Sequence, residues 1–505
     1  MKLFLVGHEY KYAVEQIMLA LFPRERPEYA VYDPNVETDK YGVSLSESSS
    51  DDSSAFSATS RLTFGSVYAQ AITVIRHGDD VSREFSCVKR SRLTDRFTTD
   101  RYLQRIIKKS FYKASMRFID SPPVWGSLTG IRPARIAAAA LSAGKSEKSA
   151  VKCLVDEYNV TPERAIVCVE AARSANCVAV SLEPIDIALY IGVPFCPSRC
   201  AYCSFVSNSV EKSFGLIDPF VQTLLREIDA VSKLIGALGL RVITVYFGGG
   251  TPTALPDESI EAIFQAIDSS IDMTGVREYT VEAGRPDTIT ARKLEMMRRF
   301  GVRRVCVNPQ SMSDDVLNTI GRSHTSEDVL DALRLVRLSS LSLNMDIIAG
   351  LPGDALEGFQ YTLDTVLDLN PENITVHTLA LKKGSRIMLE DTATPSGADV
   401  SVMLEYASRR LRESGFRPYY LYRQKFTSGG FENTGWCLPG FEGLYNICMM
   451  EELCSVFALG GGAVTKLVSP GGRIERIFNA KYPREYILQS DKITDKIEKI
   501  MGFYR

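Results

Sequence analysis

From about residue 178 the chain alternates between two textures. Short runs rich in β-branched and aromatic residues stand near 186 to 193, 241 to 247, 276 to 282, 302 to 308, 342 to 348 and 372 to 379, with helical periodicity between most of them. A helical crossover returns the chain to the starting edge of a sheet, so strands joined this way pair in parallel. Six units predict an open or partial barrel, with a doubly wound sheet as the structural competitor. The expected fold class is α/β: a partial (β/α)6 barrel, an N-terminal α/β region and a mainly helical C-terminal domain. The expected segments are 1–175 as an accessory α/β and helical region, 176–400 as the core, and 401–505 as a substrate cover.

Before the alternation, LFLVG and the periodic stretch through Ala20 read as a strand leading into a helix. ESSSDDSSAFSA, residues 47 to 58, reads as an exposed loop, SVYAQAITVIRH as a strand, and Asp95 to Phe118 as a helix. The segment from Trp125 to Gly144, with Pro133 near a helix start, serves as a structural connection as readily as a ligand loop. After residue 401 come a helix around Leu404 to Ser414, an aromatic segment around Tyr419, and glycine turns near 429 and 460.

Charge narrows the function classes. Lys plus Arg total 59 and Asp plus Glu 61, a net of -2 that gives no global attraction to nucleic acid or anionic lipid. Eleven cysteines in 505 residues are too few for a disulfide-dense scaffold, and an odd number cannot all pair internally. The N-terminal MKLFLVGHEYKY reaches acidic and aromatic residues before any adequate signal core, and no apolar run approaches about 18 residues. A cytoplasmic protein without a transmembrane segment or a nucleic-acid partner is expected.

The decisive local sequence is IGVPFCPSRCAYCSF, with Cys196, Cys200 and Cys203 directly after an expected strand. Three thiolates suit iron or zinc; a cubic iron-sulfur cluster uses three and leaves one iron for another ligand. Structural zinc would need a fourth ligand, and the nearest downstream histidine, His324, is distant in sequence. YFGGGTPT places Gly248, Gly249, Gly250 and Thr251 after a hydrophobic strand, where glycines permit tight curvature and close ligand approach; a plain turn explains them too. Glu282, Gln310, Arg322 and Asp346 stand at or near later strand ends, as cofactor contacts or as ordinary caps and surface pairs. Cys87, Cys153, Cys168, Cys177 and Cys306 read as small buried residues, and Cys437, Cys448 and Cys454 lack a compact ligand spacing.

Cys-x3-Cys-x2-Cys with the aromatic Tyr202 before its third cysteine resembles the radical S-adenosylmethionine (SAM) superfamily. The resemblance implies a radical SAM barrel in which Cys196, Cys200 and Cys203 hold a [4Fe-4S] cluster and SAM chelates the fourth iron. One electron then cleaves the sulfonium to a 5'-deoxyadenosyl radical. It also implies SAM contacts from Tyr202, from Gly249, Gly250 and Thr251 at the amino group, and from Glu282, Gln310, Arg322 and Asp346, with Arg322 paired to the carboxylate. The spacing from Gln310 through Arg322 to Asp346 resembles the oxygen-independent coproporphyrinogen III oxidase family. WGSLTGIRP, NPQSMSDDVLNTIGRSHT, NMDIIAGLPG, LKKGSR, LYRQKF, GFEGLYNICMMEE and LGGGA together look like its coproporphyrinogen dehydrogenase HemZ group, from about residue 120 to 465.

That likeness implies oxidative decarboxylation of two propionates of coproporphyrinogen III to vinyl groups, giving protoporphyrinogen IX, with a low-potential electron donor such as flavodoxin or ferredoxin. Arg285, Lys382, Lys383, Arg386 and Arg423 are possible carboxylate contacts, although surface solvation explains the Lys-Lys-Gly-Ser-Arg run equally well. Tyr422, Gln424, Asn433, Asn446 and Glu451 are polar candidates in the C-terminal cover, Met449 and Met450 read as helix packing, and His324 and His377 as candidates for proton movement. Two departures stand out: GRPD after Glu282 is unlike the oxidase sequence, and the N-terminal region is longer. A haem chaperone also belongs to the wider family, so haem binding or transfer, or another tetrapyrrole, is the alternative.

Overall fold

The computed structural model describes residues 1–29, 55–203, 208–382, 384–424 and 427–505. They form two compact units, Met1–Val169 and Glu170–Arg505. The expected boundary at 175 and the observed one both fall within the helix Pro162–Val180.

In the first unit, β1 (Lys2–Val6), β2 (Glu28–Tyr29), β3 (Phe56–Phe64), β4 (Tyr68–His77) and β5 (Asp80–Lys89) make one sheet in the order β2-β1-β3-β4-β5. Helices Lys11–Leu21 and Arg96–Ser115 share its core, where Leu3, Ile17, Ile107 and Phe111 are sealed from solvent. The loop expected over 47 to 58 is corrected at its end: Phe56, Ser57 and Ala58 already belong to β3, paired with β4, while 47–54 lie outside the described residues. Buried Ala58, Ser60 and Leu62 alternate there with the more exposed Ser57, Thr59, Arg61 and Thr63, so polar composition masked a half-buried strand. The same alternation turns Cys87 outward on β5; with exposed Cys177 and half-buried Cys153, it departs from the expected burial, which Cys168 and Cys306 do show. In the Trp125 segment, Trp125 is buried and Gly126, at φ 53, leaves no room for a Cβ against the Asn159 carbonyl, so packing accounts for the motif.

The second unit is built on an 11-stranded sheet. Its parallel centre is β6 (Asp186–Val193), β9 (Arg241–Gly249), β10 (Glu278–Glu282), β11 (Arg304–Cys306), β12 (Ser342–Ala349) and β13 (Asn373–Thr378), the six strands expected from the alternation. The short strands β7 (Phe195–Cys196) and β8 (Asn208–Ser209) pair beside the cysteines. Buried on both faces, β6 reads as the near-continuous apolar run DIALYIGV, while the helix Ile217–Ala237 buries Phe220, Leu224, Ile228, Val231 and Ile235 along one stripe.

Residues beyond 400 supply most of helix Gly397–Glu413, the helices Leu444–Glu451, Pro483–Leu488 and Lys492–Tyr504, and also strands that extend the sheet at both edges. β14 (Arg417–Arg423) and β15 (Glu432–Cys437) continue antiparallel from β13. β16 (Ser455–Gly460) lies parallel to β6, followed by β17 (Val464–Val468) and β18 (Ile474–Phe478). Buried Glu227 ties this edge together, accepting from the Gly460 amide at 2.8 Å, Tyr486 Oη at 2.6 Å and Lys496 Nζ at 2.8 Å. Among the described residues no helix is long and apolar enough to cross a membrane.

Candidate active site

Parallel strands end on one edge, and the loops leaving that edge enclose a cavity of about 380 Å³. Cys196, Cys200 and Cys203, each half-buried, line it together with Tyr202, Gly249, Gly250, Thr251, Glu282, Gln310, Arg322 and Asp346. The residues singled out for the cluster and for SAM thus meet at one cavity. The glycine turn touches the cysteine loop through its backbone: the Gly250 amide donates to the Val193 carbonyl at 2.7 Å, and the Thr251 amide to the Phe195 carbonyl at 2.7 Å. A Cβ on Gly250 would stand 2.4 Å from the Phe195 carbonyl oxygen and 3.0 Å from Cys196 Sγ. Gly249 has φ +111, a conformation that L side chains rarely adopt.

The acids at the strand ends differ in charge state. Glu282 accepts from Tyr246 Oη at 2.6 Å. Desolvation by the surrounding protein pushes its carboxyl up to about 7 against the effect of that hydrogen bond, and the Asp346 charge adds to the rise. Burial acts in the same direction on Asp346, but His377, Asn344 and Thr375 outweigh it and hold that carboxyl below its ordinary value. Asn344 Nδ2 donates to Asp346 Oδ1 at 2.8 Å, and His377 Nε2 lies 3.6 Å from Oδ2. Gln310 sits at φ 69 while its backbone bridges to β12, a left-handed conformation held by tertiary pairing.

Buried Arg322 donates through Nη1 to the carbonyls of Gly284 and Asn308 and through Nη2 to Tyr202 Oη, all at 3.0 Å, leaving Nε without a partner. Arg285 and half-buried Lys382 also line the cavity. Exposed Arg386 instead pairs with Glu390, and Arg423 turns to the Gly430 carbonyl; neither lines the cavity, and Lys383 lies outside the described residues. Of the histidines considered for proton movement, His377 faces the cavity, whereas buried His324 does not.

The C-terminal strands and the helix Leu444–Glu451 supply the far wall. Tyr420 and Tyr422 stack at 6.3 Å, Gln424 Nε2 donates to Tyr422 Oη at 3.2 Å, and Asn433 and Asn446 lie beside them. Met449 and Met450 each pack against an apolar cluster, as expected, and Met450 also lines the cavity; buried Glu451 does not. Sequence reasoning missed Tyr246, Ser198, Asn308 and Asn344 as lining residues. Asn344 follows from strand alternation with Asp346, a signal available in the sequence.

Residues 190–366 match the radical SAM superfamily. The oxygen-independent coproporphyrinogen-III oxidase-like protein HemZ of Bacillus subtilis is 36% identical over 379 residues, covering 74% of this chain and 76% of that protein. The chain belongs to the HemZ family of radical SAM proteins. The heme chaperone HemW of Escherichia coli is 26% identical, with 64% of this chain and 82% of HemW aligned. Coproporphyrinogen III oxidase (HemN) of E. coli, described as a radical SAM enzyme, shares the fold at a TM-score of 0.50 and 21% identity, over 63% of this chain and 72% of that one.

A [4Fe-4S] cluster and SAM are the cofactors of this HemZ-family chain. The cavity suits them on its own terms. Three thiols line it, Gly249 and Gly250 leave backbone where a Cβ would intrude, and a carboxyl, an amide and Arg322, whose buried Nε lacks a partner, belong to its lining.

Proposed function

We propose that this HemZ-family chain oxidatively decarboxylates propionate side chains of coproporphyrinogen III to vinyl groups, yielding protoporphyrinogen IX. The observation that carries the reading is one cavity whose lining brings together three thiols, glycines and acids with Lys382, tyrosines and amides. In the reading, Cys196, Cys200 and Cys203 hold the cluster, Gly249, Gly250 and Thr251 receive the amino end of SAM, and Glu282, Gln310, Arg322 and Asp346 orient the rest of it. Cluster and SAM, when bound, supply an electron for sulfonium cleavage and the means to take a hydrogen atom from unactivated carbon.

Per propionate, one hydrogen atom leaves the β-carbon, the bond to the carboxyl carbon breaks as carbon dioxide departs, and one electron passes to an acceptor outside the chain. Lys382, which lines the cavity, pairs with a substrate carboxylate, and Tyr422 with Gln424 borders the macrocycle. A low-potential donor such as flavodoxin or ferredoxin reduces the cluster.

A second reading, haem binding or transfer, is favoured by Arg386 and Arg423, two of the expected carboxylate contacts, being engaged elsewhere. An anaerobic assay with reconstituted chain, reductant, SAM and coproporphyrinogen III separates the two. Two successive propionate-to-vinyl mass changes, with carbon dioxide and 5'-deoxyadenosine, absent in Cys200→Ala, are expected. Stoichiometric haem binding with SAM left intact would transfer the assignment to the second reading, and SAM cleavage without tetrapyrrole change would redirect the substrate search.

A further inference from the structure

Arg285 stands in the GRPD sequence after Glu282, where this chain departs from the oxidase pattern. It is 3% exposed, and all three guanidinium nitrogens have partners. Nη1 donates to Ser198 Oγ at 2.9 Å, Nη2 to Ser323 Oγ at 2.6 Å, and Nε to Asp287 Oδ1 at 3.3 Å. Ser198 lies between Cys196 and Cys200, and Tyr202, held by Arg322 at 3.0 Å, lies between Cys200 and Cys203. Each interval of the cysteine motif is therefore tied to a buried guanidinium.

The two charges are felt nearby. Burial first, and then Arg322 and Arg285, push His324 down to about 3, so that ring stays neutral. Asp287, the acidic partner of Arg285 among the described residues, has a side chain 34% exposed, so water screens part of its compensation. A fixed cation beside an iron-sulfur centre favours the form carrying one more electron, and hydrogen bonding around the ligands tunes the same property.

We infer that Arg285 is a positioning residue for the cysteine loop. Through Ser198 it fixes the interval between Cys196 and Cys200, and its charge, beside that of Arg322, eases reduction of the bound cluster. This rests on reading the three cysteines as the cluster ligands. It also gives Arg285 a role other than the substrate contact expected from sequence.

The test uses the full chain, reconstituted anaerobically, as parent, Ser198→Ala, Arg285→Lys, Arg285→Gln and Cys200→Ala. Iron and sulfide content, the cluster midpoint potential and the rate of iron loss to a chelator are measured. Arg285→Gln is expected to lose iron several-fold faster and to show a more negative potential. Ser198→Ala should lose iron faster at a potential close to parent, and Arg285→Lys should recover the potential without recovering chelator resistance. Parental potential and chelator resistance in Arg285→Gln, with only the substrate KM raised, would overturn the inference in favour of a substrate contact. If Arg285→Gln does not fold, parental chelator resistance in both Ser198→Ala and Arg285→Lys overturns it instead. A parental cluster in Cys200→Ala is a separate failure, that of the ligand reading itself.

Discussion

Glu282 and Asp346 show how neighbouring carboxyls at one cavity come to hold different charge. Glu282 is pushed up to about 7 by burial, whereas the partners of Asp346 hold it below its ordinary value. Between the ordinary value of 4.5 and about 7, the folded Glu282 keeps a proton that the unfolded chain has released. The ligand-free fold therefore loses stability as pH rises through that window. SAM carries a net positive charge, so on the proposed reading it favours the ionised form of Glu282, and affinity should fall by up to about tenfold per pH unit below about 7. Titration calorimetry on reconstituted chain over that range checks this, with Glu282→Gln binding weakly and without the slope. A flat profile in the parent would remove Glu282 from the SAM contacts. Both acids were legible as strand-end candidates; their unequal charge was not, because it depends on the burial of Glu282 and on His377, Asn344 and Thr375 closing around Asp346.

The turn after β9 and the cysteine loop act as one element, joined by backbone hydrogen bonds and by the missing Cβ of Gly250. In Gly250→Ala the new methyl group must displace the Phe195 carbonyl or Cys196, an overpacking that costs about 1–3 kcal/mol. The variant should keep its far-ultraviolet circular dichroism while most of its iron is lost after reconstitution; iron analysis at parental levels would show that the loop tolerates the shift. Short spacings made both segments readable in sequence, since three cysteines or three glycines define a local geometry wherever they fall. The Arg285 tether was not readable, because Ser198 is 87 positions away.

Across the whole molecule, the residues read as cofactor ligands all belong to Glu170–Arg505, and Met1–Val169 has a core of its own. Calorimetry is expected to resolve two transitions, with SAM at about 100 times its Kd stabilising only the cavity-bearing unit by about 2.7 kcal/mol. An equal shift of both transitions would contradict a cofactor site confined to one unit. Periodicity and spacing by themselves determined the six parallel strands, the helices between them and the cysteine and glycine motifs, because each is written within a few adjacent residues. Strand order across the sheet decided what local pattern does not encode: β14 and β15 join one edge and β16 to β18 the other. It also decided that Lys382 faces the cavity while Arg386 and Arg423 turn away, and that buried Glu227 finds Lys496 at a separation of 269 positions. A buried polar group needs a partner, but which one it meets depends on how distant segments are brought together in the fold.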